Sequence, residues 1–178
     1  MSAGEDKYRR VELSHKALLT IETEVARGGR VLETGGILLG HEADKISRVT
    51  VAGGPGPKAV REPMRFSRDL DHAKRLAEQA WQESQAVWLG EWHTHPGGSP
   101  VPSDIDMVSY GRHLADPDLA FSRFISLIVA LPAADADPSE ASSGHDGLAG
   151  RAIVAAWLVE PDGARAAQLN IFEETHNG

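Results

Sequence analysis

Apolar residues along this chain follow two periods, and the switches between them predict alternating strands and helices. A weak two-residue alternation just before Ser14 predicts a first strand. Leu18, Ile21 and Val25 then recur at the spacing of one helix face, with Ser14 as the predicted N-cap. The glycine pair that begins at Gly28 ends this helix, because glycine favours the C-terminal cap. The N-terminal segment therefore predicts a strand followed by a helix that packs its apolar face on the core.

The rest of the chain repeats this arrangement of strands and helices. The run at 31–39 passes through Glu33 into three consecutive aliphatic residues and predicts a central strand buried on both faces. Residues 70–84 place apolar side chains on one side and predict an amphipathic helix. The other predicted elements are strands at 8–13, 46–52, 61–67, 86–95, 122–131, 152–159 and 164–172, and a helix at about 104–114. This order predicts one α/β domain over 1–178, in which helices flank a mixed central sheet.

Two connections differ from the rest in composition. Residues 53–58 read Gly-Gly-Pro-Gly-Pro-Lys and form either a plain connection or a mobile flap beside a functional site. Residues 133–150 hold almost no large apolar side chain, which predicts a mobile or disordered loop.

Three histidines lie outside the candidate site described below. His145 lies in this loop, His72 near the start of one helix, and His113 near the end of another, where an imidazolium is favoured. We expect none of these three histidines to bind a metal.

Charge and composition narrow the classes of function. The 178-residue chain carries a net charge of −8, which disfavours non-specific binding to nucleic acid. It contains no cysteine, which excludes disulfides, thiol nucleophiles, cysteine-ligated zinc and the zinc deaminases. No apolar run reaches the ~18 residues that cross a membrane, and the N-terminus lacks the apolar stretch of a signal peptide. We therefore expect a cytoplasmic protein that acts on another protein, without a membrane or nucleic acid as partner.

The candidate chemistry lies in the stretch Gly-Glu-Trp-His-Thr-His-Pro and in the loop and helix that follow it. Side chains at i and i+2 of a strand point to one face, so His93 and His95 would project together. The same alternation places Trp88 and Trp92 on the opposite face, as core residues. Asp106 stands in the first turn of the next helix and could fold back toward the histidines. Two histidines and a carboxylate form a catalytic zinc set, which leaves one position open for water.

A zinc hydrolase also needs a base for the attacking water and a donor for the developing oxyanion. Glu33 is the candidate base, and Ser103, three residues before Asp106, is the candidate donor. Each feature has a simpler interpretation when it is taken alone. A His-x-His pair is usually surface chemistry, Ser103-x-x-Asp106 is a helix capping box, and Glu33 is an ordinary solvated carboxylate. The joint spacing favours the zinc hydrolase.

This combination resembles the motif of the JAMM (MPN+, JAB) metalloproteases over about residues 14–132. The residues that carry the resemblance are Glu33, His93, His95, Ser103 and Asp106, with seven residues between the second histidine and the serine. The resemblance implies that His93, His95 and Asp106 bind one zinc ion. It further implies that Glu33 is the general acid/base and that Ser103 holds the oxyanion. The fold it implies is the single-domain MPN/JAB fold, a cytidine-deaminase-like α-β-α architecture.

The resemblance also implies a substrate. The family commonly hydrolyses the isopeptide bond after the C-terminal glycine of ubiquitin or a ubiquitin-like protein. The histidine stretch, Phe66-Ser-Arg-Asp69 and Trp81-x-x-Ser84 look most like the stand-alone bacterial peptidases of CBASS and Bil-type anti-phage operons. Such peptidases remove a ubiquitin-like protein or a cGAS-like nucleotidyltransferase from its conjugates, opposing E1- and E2-like proteins, or process a precursor tail. A thin tail could lie along a sheet edge by strand addition, with Gly35-Gly36 and Pro96-Gly97-Gly98 leaving room for it.

Two other functions stay open from the sequence. One is a JAMM protease that trims a sulfur-carrier type of ubiquitin-like protein in biosynthesis. The other is a non-catalytic MPN scaffold, which predicts an incomplete zinc set, whereas all five motif positions are filled here.

Overall fold

The computed structural model describes residues 10–44, 46–133 and 152–174, and the structural statements below concern these residues. Residues 134–150 of the loop predicted to be mobile, including His145, lie outside them. The elements in chain order are β1 (Arg10–Ser14), α1 (His15–Gly28), β2 (Gly35–Ala43), β3 (Ile46–Ala52), β4 (Val60–Glu62), β5 (Arg65–Ser67), α2 (Leu70–Ser84), β6 (Val87–Pro96), α3 (Asp104–Ala115), β7 (Phe124–Leu131), β8 (Ile153–Glu160) and β9 (Gly163–Phe172). None of the described helices is both long and apolar enough to cross a membrane.

Seven of the strands form one mixed sheet that closes on itself. Their order is β1-β3-β2-β6-β7-β8-β9, and β1 also pairs with β9 to complete a barrel. The pairs β1–β3, β1–β9 and β6–β7 are parallel, and the other neighbours are antiparallel. The remaining strands, β4 and β5, form a separate antiparallel hairpin. The strand β6 therefore lies in the middle of the sheet, between β2 and β7.

The interior of the barrel is the main hydrophobic core. All seven strands contribute side chains to it, and α1 contributes Ala17, Ile21 and Val25. The backbone N–H of Ala17 donates to the Ser14 hydroxyl oxygen at 3.1 Å, which confirms the predicted cap of this helix. Burial of this apolar face against the sheet supplies most of the stability of such a helix.

The helices α2 and α3 lie on the outer face of the sheet and cover only part of it. In α2, Ala73 and Ala80 pack on Ile37 of β2. In α3, Tyr110 packs against Phe124 of β7. The outer face near β1 is polar instead, since Arg48 lies 2.7 Å from Glu12 in an ion pair. The prediction of a mixed sheet flanked by helices is therefore confirmed only in part. The sheet is mixed, but β1 closes it into a barrel, and no described helix covers its outer face at β1 and β3.

Most predicted boundaries agree with the structure, and two strand predictions are wrong in detail. The limits predicted for α2 and β3 are those observed. However, β2 begins only at Gly35, because the chain turns before it and leaves Val31 62% exposed. The segment predicted as one strand at 61–67 is the hairpin of β4 and β5, which turns at Pro63 and Met64.

A register shift in β6 overturns the expectation that Trp88 faces away from the histidines. Where β2 pairs with β6, Leu38 lies opposite Gly90, but the next residue, Leu39, lies opposite Trp88. The extra residue on β6 rotates the chain, so that Trp92 packs in the barrel interior, as expected, whereas Trp88 packs on the outer side near α2.

Glycines in β2 and β6 allow neighbouring backbones to approach closely. A Cβ atom at Gly35 or Gly36 would collide with a backbone oxygen, that of Trp92 or of Gly53. A Cβ atom at Gly90 would collide with the carbonyl oxygen of Ile125 in β7. These glycines therefore serve sheet packing, which accounts for Gly35 and Gly36 without a substrate tail.

We predict that Gly90→Ala destabilises the fold by at least about 2 kcal/mol, because neither backbone can move away from the added methyl group. Gly111→Ala is the matched control, since Gly111 lies in α3 with no atom within 4 Å of an added Cβ. The free energy of unfolding of this control should rise by about 0.5–1 kcal/mol, because alanine has a higher helix propensity than glycine. Denaturant unfolding of both variants measures the difference, and equal stabilities would contradict the packing role of Gly90.

Candidate metal centre and adjoining cleft

Three side chains that the sequence predicts as metal ligands converge at the end of β6. The Nε2 atoms of His93 and His95 lie 2.9 Å apart. The Asp106 carboxylate lies 3.3 Å from the His93 Nε2 through one oxygen and 3.2 Å from the His95 Nε2 through the other. The donor atoms all lie within 4.8 Å of one another. The site is largely shielded from water, since the His93 side chain is only 3% exposed.

The backbone explains this convergence. His93 and His95 alternate along β6, which β7 and β2 hold from both sides. Asp106 is the third residue of α3, and Ser103 is the cap of that helix. The Ser103 hydroxyl donates to Asp106 Oδ2 at 2.7 Å, and the Asp106 backbone N–H donates to the Ser103 hydroxyl oxygen at 3.2 Å. The capping box and the carboxylate of the candidate centre are therefore the same structural feature.

The chemistry of the donor set fits a zinc ion. His95 Nδ1 lies 2.9 Å from the carbonyl oxygen of Ser99, which accepts a proton held on Nδ1 and leaves Nε2 free to bind a metal. His93 also turns its Nε2 toward the other two side chains, and its buried Nδ1 has no hydrogen-bond partner among the described residues. Two imidazole nitrogens and one carboxylate are the protein ligands of many catalytic zinc sites.

The ionisation of these groups also suits a cation. Burial raises the pKa of Asp106, but hydrogen bonds with His93 and His95 outweigh it and hold that pKa well below its usual range. Burial lowers the pKa of His93 and keeps its ring neutral. For His95, burial also lowers the pKa, but the contacts with Asp106 and the Ser99 carbonyl outweigh it and raise the pKa above its ordinary value. A metal ion competes with a proton for the Nε2 of His95, so the affinity for the metal falls as the pH decreases.

Glu33 lies beside this centre because two neighbouring strands hold the segment that carries it. Its backbone N–H donates to the Glu62 carbonyl of β4 at 3.0 Å. The carbonyl oxygen of the next residue, Thr34, accepts a hydrogen bond from the Thr94 backbone N–H at 2.8 Å. The Thr34 backbone N–H donates to the Thr94 hydroxyl oxygen at 2.9 Å. Burial raises the pKa of Glu33 to about 7, opposed by the charge of His95. A carboxyl group with this pKa can both take and return a proton near neutral pH.

A cleft of about 630 Å³ leads to Glu33 and the metal centre. One wall is the hairpin of β4 and β5 with the start of α2, and the other wall is α3. Its rim carries exposed apolar side chains on both walls, namely Met64, Leu70, Ile105 and Val108. The cleft is therefore open at the surface and can contact an extended, partly apolar segment of another protein.

Sequence reasoning missed an ion pair between Arg68 and Glu91, which also line the cleft. The alternation of β6 could have revealed Glu91, since it lies two residues before His93 and therefore on the same face. Nothing in the sequence indicates that Arg68, which lies between β5 and α2, reaches the same place.

The sequence predicts a structural role for His113, and its packing confirms that role, although the ring is not the imidazolium that a helix C-terminus favours. Its ring packs 5.1 Å from the ring of Phe124, and its Nδ1 is buried without a hydrogen-bond partner among the described residues. Burial, helped by the charge of Arg68, lowers the pKa of His113 to about 4. At neutral pH this histidine is therefore a neutral part of the packing between α3 and β7.

Comparisons with known proteins agree with this geometry. A family model described as prokaryotic homologs of the JAB domain matches residues 15–141. A protein named CD-NTase/cGAS isopeptidase from Escherichia coli (strain TW11681) is 36% identical over 80 residues, which are 44% of this chain and 51% of that protein. Proteins of the same name from Vibrio cholerae and Pseudomonas aeruginosa are 31% identical over 88 residues and 30% identical over 112 residues. These matches cover 48% and 62% of this chain, and 56% and 71% of the relatives. The chain thus spans about half the length of the first two relatives.

A solved structure shows the same fold. The solution structure of protein DSY2949 from Desulfitobacterium hafniense is similar with a TM-score of 0.64 and 22% sequence identity. The similarity covers 93% of this chain and 95% of that one.

We predict that His113 makes stability depend on pH between about 4 and its ordinary pKa of 6.5. Because the folded pKa is the lower one, the unfolded chain binds the proton first, and stability is lost as the pH falls through this window. His113→Leu should remove roughly 1–2 kcal/mol of that loss. Urea unfolding at pH 7 and at pH 4.5 measures it. The same loss of stability in the wild type and the variant would contradict the assignment.

Proposed function

Because this chain belongs to the family of prokaryotic JAB-domain homologues, we propose that it is a zinc-dependent isopeptidase. The proposed substrate is a CD-NTase, a cGAS-like nucleotidyltransferase, or a ubiquitin-like protein, cleaved after its C-terminal tail. The observation that carries the proposal is the convergence of His93, His95 and Asp106 beside Glu33, at the end of an open cleft. The names of the relatives support a CD-NTase over a sulfur-carrier protein as the substrate. A cytoplasmic role in anti-phage defence, with E1- and E2-like partners, belongs to the same proposal.

The proposed centre divides the chemistry between the metal and the chain. A zinc ion held by His93, His95 and Asp106 would supply a Lewis acid and a water molecule with a pKa lowered toward 7. Glu33 takes a proton from the attacking water and gives it to the leaving amine. Burial raises the pKa of Glu33 above that of a free carboxyl group, which makes its carboxylate a stronger base for the first transfer.

Ser103 has two candidate roles that compete for one proton. Its hydroxyl donates to Asp106 Oδ2 at 2.7 Å and thereby fixes a proposed ligand. To stabilise an oxyanion, the same hydroxyl must turn from Asp106 toward the substrate carbonyl. After this rotation the Ser103 backbone N–H would still donate to Asp106 Oδ2 at 2.7 Å, and this hydrogen bond would hold the carboxylate in its orientation. The geometry therefore allows Ser103 to be a donor without a loss of the cap.

The cleft gives the proposed tail a path to the centre. An extended tail can lie between the hairpin of β4 and β5 and the helix α3, both of which line the cleft. Apolar side chains of the tail would contact Met64 and Ile105, which are 77% and 59% exposed. Beside β5 the tail could add a strand to the hairpin, since among the described strands β5 pairs with β4 alone.

The function is tested by the cleavage of a fusion protein. A bacterial CD-NTase, taken from a neighbouring gene where one is present, is joined through its C-terminal tail to a reporter domain and incubated with the purified, zinc-loaded protein. We expect cleavage directly after the tail, and loss of cleavage when a chelator removes the zinc. A bacterial ubiquitin-like protein is tested in the same format. Failure of the zinc-loaded protein to cleave either fusion would contradict the proposed substrates.

We predict that Glu33→Gln keeps the fold and the zinc but slows cleavage by at least roughly 10²-fold, because an amide cannot transfer the proton. His95→Ala is the contrasting variant and should lose both zinc and activity, because it removes a ligand. Metal analysis and cleavage are measured on the same preparations. Zinc loss from a folded Glu33→Gln protein, or full activity of His95→Ala, would contradict the assigned roles.

We predict that Ser103→Ala reduces the turnover number by roughly 10²–10³-fold if its hydroxyl stabilises the oxyanion. Loss of the helix cap should also lower the free energy of unfolding by about 1 kcal/mol. Ser103→Gly separates the two roles, since glycine at the cap position costs only a few tenths of a kcal/mol and carries no side-chain donor. A stable Ser103→Gly protein with wild-type turnover would show that Ser103 serves only as the cap.

A further inference from the structure

We propose that Glu91 and Arg68 are positioning residues for His93, with Glu91 accepting the proton of His93 Nδ1 and Arg68 fixing Glu91. This inference rests on the proposed zinc site. It concerns two side chains outside the group of three ligands, the base and the oxyanion donor.

His93 presents an unsatisfied donor to its surroundings. Its Nε2 faces His95 and Asp106, so a metal bound there leaves the ring proton on Nδ1. That nitrogen is buried and has no hydrogen-bond partner among the described residues. Glu91 Oε1 lies 3.8 Å from it, and a shift of about 1 Å would close a hydrogen bond. A carboxylate behind a ligating histidine fixes the tautomer and the ring orientation and makes the histidine a stronger ligand.

Arg68 determines where the Glu91 carboxylate lies. Its guanidinium contacts the other oxygen, Oε2, and the two side chains are only 14% and 9% exposed. The guanidinium also lies 5.7 Å from the centre of the Trp88 ring, in a cation–π contact. Trp88 reaches this position because of the register shift in β6. The register shift in β6 therefore places the Trp88 ring against the Arg68–Glu91 ion pair, on the side of His93 that faces away from His95 and Asp106.

The backbone next to Arg68 is also fixed. The N–H of Asp69 donates to the Pro55 carbonyl at 2.9 Å. The Asp69 carboxylate accepts from the backbone N–H groups of His72 at 3.1 Å and Lys58 at 3.2 Å. These contacts anchor the start of α2 to the 53–58 loop, and they support the interpretation of that loop as a plain connection. Arg68 therefore extends from a rigid point, and it can hold Glu91 in one orientation.

A buried ion pair could also serve stability alone, by joining the segment before α2 to β6. The two roles differ in what they change. A purely structural pair would alter the free energy of unfolding and leave the metal site as it is. A positioning pair alters the affinity for zinc and the environment of the His93 Nδ1 proton in protein that is still folded.

The test compares zinc affinity in Glu91→Gln, Arg68→Gln and the wild type, by competition with a chromogenic chelator. We expect Glu91→Gln to bind zinc 10- to 100-fold more weakly, and Arg68→Gln about tenfold more weakly. Glu12→Gln is the matched control, because it breaks the Glu12–Arg48 ion pair on the far side of the barrel. This control should bind zinc like the wild type. Circular dichroism identifies the variants that are folded.

A second measurement needs no variant to fold. In the zinc-loaded wild type, ¹⁵N-edited NMR should show the His93 Nδ1–H proton protected from solvent exchange and shifted strongly downfield. The absence of this signal, or unchanged zinc affinity in folded Glu91→Gln, would overturn the inference. If either result is obtained but His95→Ala loses zinc in the same experiments, only the inference about Glu91 and Arg68 is contradicted, and the proposed zinc site still stands. A wild-type protein that binds no zinc would overturn the inference and the proposed zinc site together.

Discussion

The carboxylate of Asp106 connects the two parts of the chain that form the candidate centre. One of its oxygens accepts from the Ser103 cap of α3, and the two oxygens face the two histidines of β6 at 3.2–3.3 Å. The position of α3 is therefore tied to the end of β6 by the same group that would bind the metal. Two imidazole nitrogens 2.9 Å apart next to a carboxylate form a donor set that a single metal ion could bind.

The closed sheet makes this arrangement rigid. The strand β6 pairs along its length with β2 and β7, and Gly90 allows the backbone of β7 to approach it closely. Thr94, between the two histidines, binds Thr34 through both its backbone and its side chain, and so it holds Glu33 beside the candidate ligands. The hairpin of β4 and β5 supports Glu33 from the other side and also forms a wall of the cleft. One set of backbone contacts thus positions the proposed base and one wall of the cleft.

The sequence predicted those parts of the structure that depend on local chemistry. Ser14 and Ser103 were recognisable as caps, α2 as an amphipathic helix, and the five motif residues as one group. Features that depend on non-local contacts were not predictable. The barrel closes because β1 pairs with both β3 and β9, and Trp88 turns outward because of a register shift between paired strands. His113 becomes neutral through burial by residues far along the chain, and the Arg68–Glu91 pair joins two separate segments.

The most direct test of the account is zinc K-edge X-ray absorption on the purified protein, together with its zinc content. The account predicts one zinc ion per chain, bound by two imidazole nitrogens at about 2.0–2.1 Å and completed by oxygen ligands. A protein without zinc, or zinc without histidine ligation, would contradict the assignment of His93, His95 and Asp106 as the metal centre.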